Sequence, residues 1–451
     1  MFKTLKNAWK TPELQKKMLF TLFIVLLYRL GACMCVPYVS SSISDSFSTL
    51  YGSSVLGLMS ILSGGAMQYA TLFALSVSPY ITASIVMQLL TIAIPPLERI
   101  AKEGPEGQKK ITSYTRWVTV GLALITSFGY SMLLKSNSWL VRDDWFAMIV
   151  INVAFCAGAA LVMWLAELIN DKGIGNGISM ILFANIIASI PGYAQTVWSG
   201  VIMKNYISGN KALSVVIGVA IAIVLVAVVF VIIGFIVWVT NSERRIPIQY
   251  AKRVVGRKMY GGQATNLPIK LNMTGVMPII FASSIVSIPA TIAAFFPKEN
   301  GFTKFVNNFF SPQTWEYLVV YLILIIAFSY FYVLISFDPV EVSNNIVSNG
   351  GSVRGIRPGR PTVQYIQKIL KRVTLIGAFF LCIVAGLPML VTVVTTALSS
   401  VLPAATASKI PDLSILTFGG SSLLIVVGVA LETVRDLEAQ LSLRASKGFL
   451  G

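Results

Sequence analysis

The chain has no histidine, and only 12% of its 451 residues carry charge. The missing imidazole excludes His-activated nucleophiles, His zinc ligation and His pH switching. Acids are scarce, 18 against 35 Lys plus Arg, and none falls in the middle of a long apolar stretch; Glu167, Glu316 and Glu432 sit at ends. Proton- and sodium-coupled transporters usually keep carboxylates near the membrane midplane, so this absence weighs against that class. The four cysteines, Cys33, Cys35, Cys156 and Cys382, fall in apolar stretches, where they read as small buried hydrophobes and not as a redox or metal set. A phosphate cradle ending in Lys-Ser or Lys-Thr is also missing; the run Gly173 to Gly177 precedes an apolar stretch and not a βα unit. No cofactor, metal or enzymatic activity is expected.

What the chain has in abundance is apolar length: 55% of its residues are hydrophobic. Candidate spans run from Met18 to Val36, Tyr69 to Ile94, Ile111 to Leu134, Trp145 to Ile169 and Gly177 to Met203. They continue from Ala212 to Thr240, Met273 to Phe296, Thr314 to Phe337, Ile366 to Val394 and Leu413 to Val434. Most reach the roughly 20 residues that a 30 Å hydrocarbon layer demands of a helix. The expected class is an all-α polytopic membrane protein with ten transmembrane helices. Met18 to Val36 has no suitable cleavage site and reads as a retained first helix.

The net charge of +17 is placed unevenly. Twenty-six basic residues fall in loops of one side and seven in those of the other. By the positive-inside rule the first side is cytoplasmic, and both termini lie there.

The chain divides near Ser208 to Lys211 into residues 1–207 and 208–451, five spans each. An odd number per half inverts one half against the other, a recurrent plan for proteins that pass something through their midplane. Before the second span, Leu56 to Leu62 is a short apolar piece broken off by Ser63, Gly64 and Gly65. It covers about 10 Å at 1.5 Å per residue, a third of the bilayer. Either it re-enters, buried in protein or lining a water-filled cavity, or it is an external amphipathic loop. Two long cytoplasmic loops, 241–272 and 338–364, carry much of the charge. The first alternates apolar and basic residues through Ile246, Ile248, Tyr250 and Val254 and turns at Gly261 and Gly262, which predicts a β-like hairpin. The second is rich in Gly and Pro, so its tip reads as a loop. Such arms suit docking of a partner; the alternative is plain positive-inside charge.

Interior polar groups are few: Thr82, Ser84, Gln88, Asn152, Asn185, Ser283, Ser284 and Ser287. They predict close helix approach and cross-helix hydrogen bonds of about 0.6 to 2 kcal/mol each. Arg29, the one basic residue well inside the first span, is compatible with a snorkelling side chain.

Six stretches carry a resemblance that covers essentially the whole chain. They are PYITASIVMQLL (Pro79 to Leu90), EGPEGQKKI (Glu103 to Ile111), DKGIGNGISMILFANII (Asp171 to Ile187), the segment from Arg244 to Pro278, GIRPGRPT (Gly355 to Thr362), and GGSSLLIVVGVALETV (Gly419 to Val434). Together they resemble the SecY family of bacterial protein-conducting channels. The resemblance implies an hourglass pore between two pseudo-symmetric halves, with a lateral gate where the second and third spans face the seventh and eighth. It implies a pore ring of Ile81, Ile85, Leu182, Ile186, Ile280 and Ile425, with Leu182 standing where isoleucine is more usual. The plug maps to about Ser54 to Met67, including Leu56, Leu58, Met59, Ile61, Leu62, Gly64 and Gly65.

An apolar ring would hold back ions by dewetting yet offer nothing adhesive to an extended peptide. Segments that prefer lipid would leave sideways: Leu, Ile, Phe or Val contribute about −0.3 to −0.6 kcal/mol each at a helix centre, and one Asp, Lys or Arg costs about 2.5 to 3.5. The resemblance also implies docking of the ribosome and the SecA motor ATPase through Arg244, Arg245, Arg253, Arg257, Lys258 and Arg357. Further implied partners are the SecE and SecG small subunits, the YidC insertase, secretory and membrane-protein substrates, and the lipid of a bacterial plasma membrane. One departure is Val353-Arg354-Gly355, where the family usually reads Ile-Pro-Gly; losing that proline is expected to loosen the turn and adds a charge. Competing readings are an inverted-repeat secondary transporter, which would need a charged site at mid-membrane, and an accessory SecY paralogue, against which the long basic arm argues.

Overall fold

The computed structural model describes residues 2–40, 43–44, 46–47, 55–203, 211–250, 253–255, 258–260, 264–293, 301–310, 314–401 and 414–447. Its first half contains α1 (Phe2–Lys10), α2 (Pro12–Gly31), α3 (Val55–Leu62), α4 (Ser78–Ala93), α5 (Pro95–Lys102), α6 (Pro105–Ser136), α7 (Trp145–Lys172) and α8 (Gly177–Val197), which ends in a π turn, Trp198–Ile202. There follow α9 (Lys211–Asn241), α10 (Met277–Ala293), α11 (Gly301–Phe309), α12 (Trp315–Ser336), α13 (Pro339–Ser348), α14 (Arg360–Val401) and α15 (Ser414–Lys447).

Local chemistry sets many helix starts. Proline occupies the first turn of α2, α4, α5, α6 and α13, where its missing N–H costs nothing. Asn176 caps α8 by accepting from the Ile178 and Ser179 N–H groups at 3.0 and 3.4 Å, and Asp338 caps α13 through Val340 N–H at 2.8 Å. Ile94 stands before Pro95 in an extended conformation, so α4 cannot run on, and the chain bends by 102° into α5.

Every candidate span falls on a helix, but not always with the expected bounds. Among the described residues, five helices are long and apolar enough to cross a membrane, or six if α4 and α5 count as one bent span. The apolar stretch from Tyr69 does not open as helix: residues 63–77 are turns, with Ala70 at φ 45° and Ser76 at φ 50°, and α4 begins only at Ser78. Ser63, Gly64 and Gly65 marked where the break begins, but hydropathy registers composition and not backbone conformation, so it could not show that the break runs on to Val77. Two cysteine expectations also change: Cys33 and Cys35 lie past the end of α2 and are exposed, whereas Cys156 and Cys382 are half-buried within α7 and α14. The division expected near Ser208 to Lys211 lies outside the described residues except for Lys211, which opens α9.

One large apolar core joins α2, α4, α7, α8, α9, α10, α12, α14 and α15. Small residues let the helices touch: the Leu72 carbonyl sits against Gly158 of α7, and the Ala166 carbonyl against Gly177 at the start of α8. The apolar α9 is mostly outside that core, with Val216, Ile223, Val231 and Trp238 exposed, as a lipid-facing helix requires.

The two long loops form a body of their own. Strand β1 (Glu243–Tyr250) pairs antiparallel with β4 (Ala264–Lys270), and β5 (Gly351–Val353) of the second loop adds to the other edge of β1. A two-stranded ribbon, β2 (Arg253–Val255) with β3 (Lys258–Tyr260), extends the first loop. Strands of the expected kind are present, with Val255 paired to Lys258; Gly261 and Gly262, where the turn was expected, lie outside the described residues. Ile246 and Ile248 alternate inward, against Leu370 and Val373 in one cluster and Ile346 and Ile366 in the other.

Candidate functional site

The residues expected at the waist converge from four helices: Ile81 and Ile85 from α4, Leu182 and Ile186 from α8, Ile280 from α10 and Ile425 from α15. All six are buried in the same apolar cluster. The i, i+4 spacing of 81/85 and 182/186 puts each pair on one helical face. Ile81, Leu182, Ile280 and Ile425 line a cavity of about 80 Å3 together with Met59, Leu62, Ser63 and Met67. Ile85 and Ile186 lie one turn further along their helices and do not line it.

The short helix α3 packs against α8, α10 and α15, three of the four helices that carry those aliphatics. Its end is fixed by two left-handed glycines, Gly64 at φ 66° and Gly65 at φ 84°, which turn the chain away from the helix. Tyr130 Oη of α6 donates to the Met67 carbonyl at 2.5 Å and anchors the far end of the segment. Of the expected plug residues, Met59 and Leu62 line the cavity. Leu56, Leu58 and Ile61 belong to α3 by backbone, and their side chains lie outside the described residues. The external-loop alternative does not describe a segment packed among three helices.

The interior hydroxyls behave differently from expectation. Thr82 bonds Ser78 O, Ser283 and Ser284 both bond Ile280 O, and Ser287 bonds Ser284 O, all within their own helices. Ser283, Ser284 and Ser287 thereby face the cavity from α10 without leaving their backbone partners. Asn152 does bond across helices, accepting from Ser127 of α6. Arg29 is not a snorkelling side chain: its Nη2 donates to the Ala184 and Asn185 carbonyls of α8 at 2.7 and 3.2 Å. An ion pair of Arg116 on α6 with Glu167 on α7, at 2.9 Å, was not anticipated; the only signal was that both stand near span ends of adjacent helices.

Of the expected docking residues, Arg244 and Arg245 project from β1, exposed, with Arg245 paired to Glu243 at 2.7 Å. Arg253 and Lys258 sit on the β2–β3 ribbon, and Arg257 lies outside the described residues. Arg357 is exposed in the turn after β5, 3 residues before α14 opens at Arg360. At the departure from the family pattern, the Arg354 N–H, which a proline would lack, donates to the Pro247 carbonyl at 3.4 Å and continues the β5–β1 pairing. At the base of the sheet, Arg435 of α15 donates to Thr240 O and Asn241 Oδ1, both at 2.9 Å. Burial and the neighbouring Arg435 charge hold the Lys270 ammonium below its ordinary pKa.

An apolar waist assembled from several membrane helices, with a short helix lodged against it, is the arrangement of a membrane channel held shut. The SecY family model matches residues 71–434. A protein translocase subunit SecY from Streptomyces scabiei is 41% identical over 463 residues, covering 100% of both chains. Among solved structures, a protein-conducting channel matches with a TM-score of 0.59 at 15% identity over 94% of this chain and 92% of that one. Sec61 in the canine ribosome–channel complex from the endoplasmic reticulum matches with a TM-score of 0.54 at 15% identity, over the same shares. The chain belongs to the SecY family.

Proposed function

We propose that this chain is the pore subunit of a protein translocase, with ten spans in two inverted halves, residues 1–207 and 208–451. Unfolded polypeptides pass through the waist at Ile81, Ile85, Leu182, Ile186, Ile280 and Ile425, and hydrophobic segments leave sideways into lipid between α4 and α6 on one side and α10 and α12 on the other. The observation that carries this reading is the seating of α3 against α8, α10 and α15 beside a cavity lined by four of those aliphatics. Such a waist denies an ion any replacement for its hydration shell, while serines on α10 leave the neighbouring wall able to wet.

The chain resides in a bacterial plasma membrane with both termini cytoplasmic, and SecE and SecG complete the complex. The basic arms, with Arg244, Arg245, Arg253, Arg257, Lys258 and Arg357, meet ribosomal RNA phosphates and the SecA motor ATPase, whose charges complement them. Sec61, a fold neighbour, forms a ribosome–channel complex, which supports the ribosomal half of this assignment. Energy comes from the motor, the ribosome or the membrane potential, and YidC receives some membrane-protein substrates.

The test is reconstitution of the purified chain with its small subunits and motor in vesicles, scoring ATP-dependent protection of a secretory precursor from external protease. Protection is expected. Vesicles that take up small solutes but protect no precursor would overturn the reading in favour of a transporter.

A further inference from the structure

A cluster of polar groups meets the end of the plug helix, and nothing in the channel reading uses it. Asn185 of α8 is fully buried, and its Nδ2 stands 2.8 Å from the carbonyl of Leu62, the last residue of α3. The same nitrogen lies 3.0 Å from Tyr28 Oη of α2 and 3.2 Å from Ser76 Oγ, which are themselves 3.3 Å apart. Arg29, the residue after Tyr28, reaches across to the Ala184 and Asn185 carbonyls. Gly64 lies against that guanidinium: a Cβ built there would stand 2.6 Å from Nη2. None of the ion pairs among the described residues includes Arg29.

We propose that Asn185 and Arg29 form a latch that holds the plug helix seated and sets how readily the channel opens without a substrate; this rests on the channel reading above. Leu62 O is one of the carbonyls that a helix end leaves without an intrahelical partner, and Asn185 supplies one. The Arg29 charge stands beside the same C-terminal end, where the helix dipole favours a cation. An intramembrane charge held on backbone carbonyls is costly, which favours a functional role over an accident of packing.

The latch is also limited in strength. The Asn185 amide has two N–H groups for three acceptors, so it cannot serve Leu62, Tyr28 and Ser76 together. Its Oδ1 is buried with no partner, a standing penalty on the seated state. Both latch residues belong to α2 and α8, whereas α3 also rests on α10 and α15. Movement of α10 or α15 alone therefore leaves the latch closed, and the plug stays with the first half until Leu62 is displaced.

The test uses the complete purified complex in planar bilayers and vesicles, comparing wild type with Asn185→Leu, Arg29→Met, Arg29→Lys and Gly64→Ala. Substrate-free channel opening is expected to rise roughly two- to twelvefold in Asn185→Leu, the worth of one hydrogen bond net of solvent. Arg29→Met should behave likewise, and Arg29→Lys should fall between it and wild type because the charge is kept. Gly64→Ala perturbs the latch without removing a buried polar group, because alanine is strained at φ 66° and crowds Arg29. It keeps the proposal falsifiable if Asn185→Leu fails to assemble. The leaking variants should also export a precursor with a weakened signal segment better than wild type does.

Assembled variants with wild-type opening and selectivity would overturn the latch while leaving the channel reading intact. Leakage that scales only with loss of assembled complex would overturn it in favour of a folding role. Wild-type vesicles that protect no precursor would bring down the channel reading and the latch with it.

Discussion

Replacing Ile280 by Asn tests whether the waist seals by apolar contact. Ile280 is 4% exposed and packs in one cluster with Ile81, Leu182 and Ile425, so in the shut state its side chain is withdrawn from water. Opening separates these side chains and wets them, and the burial free energy of one isoleucine, about 1.5 to 3 kcal/mol, counts toward the shut state. The neighbouring cavity of about 80 Å3 can admit water to an asparagine amide, so no further penalty for an unpaired amide is added. At 1.4 kcal/mol per factor of ten, Ile280→Asn is expected to raise the open population roughly 10- to 150-fold. Ile280→Val, which loses one methylene worth about 0.8 kcal/mol, should raise it about fourfold. The assay is substrate-free conductance of the purified complex in planar bilayers, with Ile288→Asn as control. Ile288 lies on the same helix but is 38% exposed, and its replacement should leave conductance unchanged. Conductance of assembled Ile280→Asn within twofold of wild type would refute the seal.

Arg357→Glu reverses an exposed charge at the turn after β5 and should lower motor- or ribosome-driven transport several-fold at unchanged complex yield; equal loss of both would mark a folding residue instead. Ile248→Asp puts a carboxylate into the cluster with Ile346 and Ile366. Destabilisation of the sheet by about 3 kcal/mol or more is expected, read as faster proteolysis of both arms while the membrane core stays protected. Gly158→Leu drives a side chain into the Leu72 backbone carbonyl and should abolish accumulation of the complex. Arg116→Gln breaks an ion pair whose arginine is 53% exposed but whose glutamate is only 12% exposed, and leaving that carboxylate without its charged partner should cost about 1.5 to 3 kcal/mol, read as a lower detergent melting temperature.

How much of this was legible in the sequence depends on the range over which each interaction acts. The helices were readable because apolar length is a local property, and the β1–β4 pairing because Ile246 and Ile248 alternate. The third strand was not: Gly351–Val353 is 3 residues long, too short to carry a period, and its partner β1 lies across four helices, α10 to α13, in the chain. The break at Ser63, Gly64 and Gly65 was legible, but its continuation from Tyr69 to Val77 was hidden because Leu72, Phe73 and Leu75 keep the stretch apolar while Ala70 and Ser76 take left-handed backbone. Asn185 stood out as a polar residue within a span, but its contact with Leu62 is 123 residues distant and no pattern near either position announces it. Arg29 was ambiguous for the same reason, since a snorkelling arginine and one held on two carbonyls look alike in sequence. The waist residues were legible only through the family resemblance; each isoleucine alone reads as ordinary packing.

The sheet β4–β1–β5 gives the two long loops a single handle. β1 follows directly on α9, β4 leads toward α10, β5 leads into α14, and Arg435 of α15 grips the point where α9 ends. A force on Arg357 therefore cannot shift one loop and leave the other behind, because the β5–β1 pairing carries it to α9, α10 and α14 together. Load placed on either loop is thus delivered to several helices at once through one shared lever.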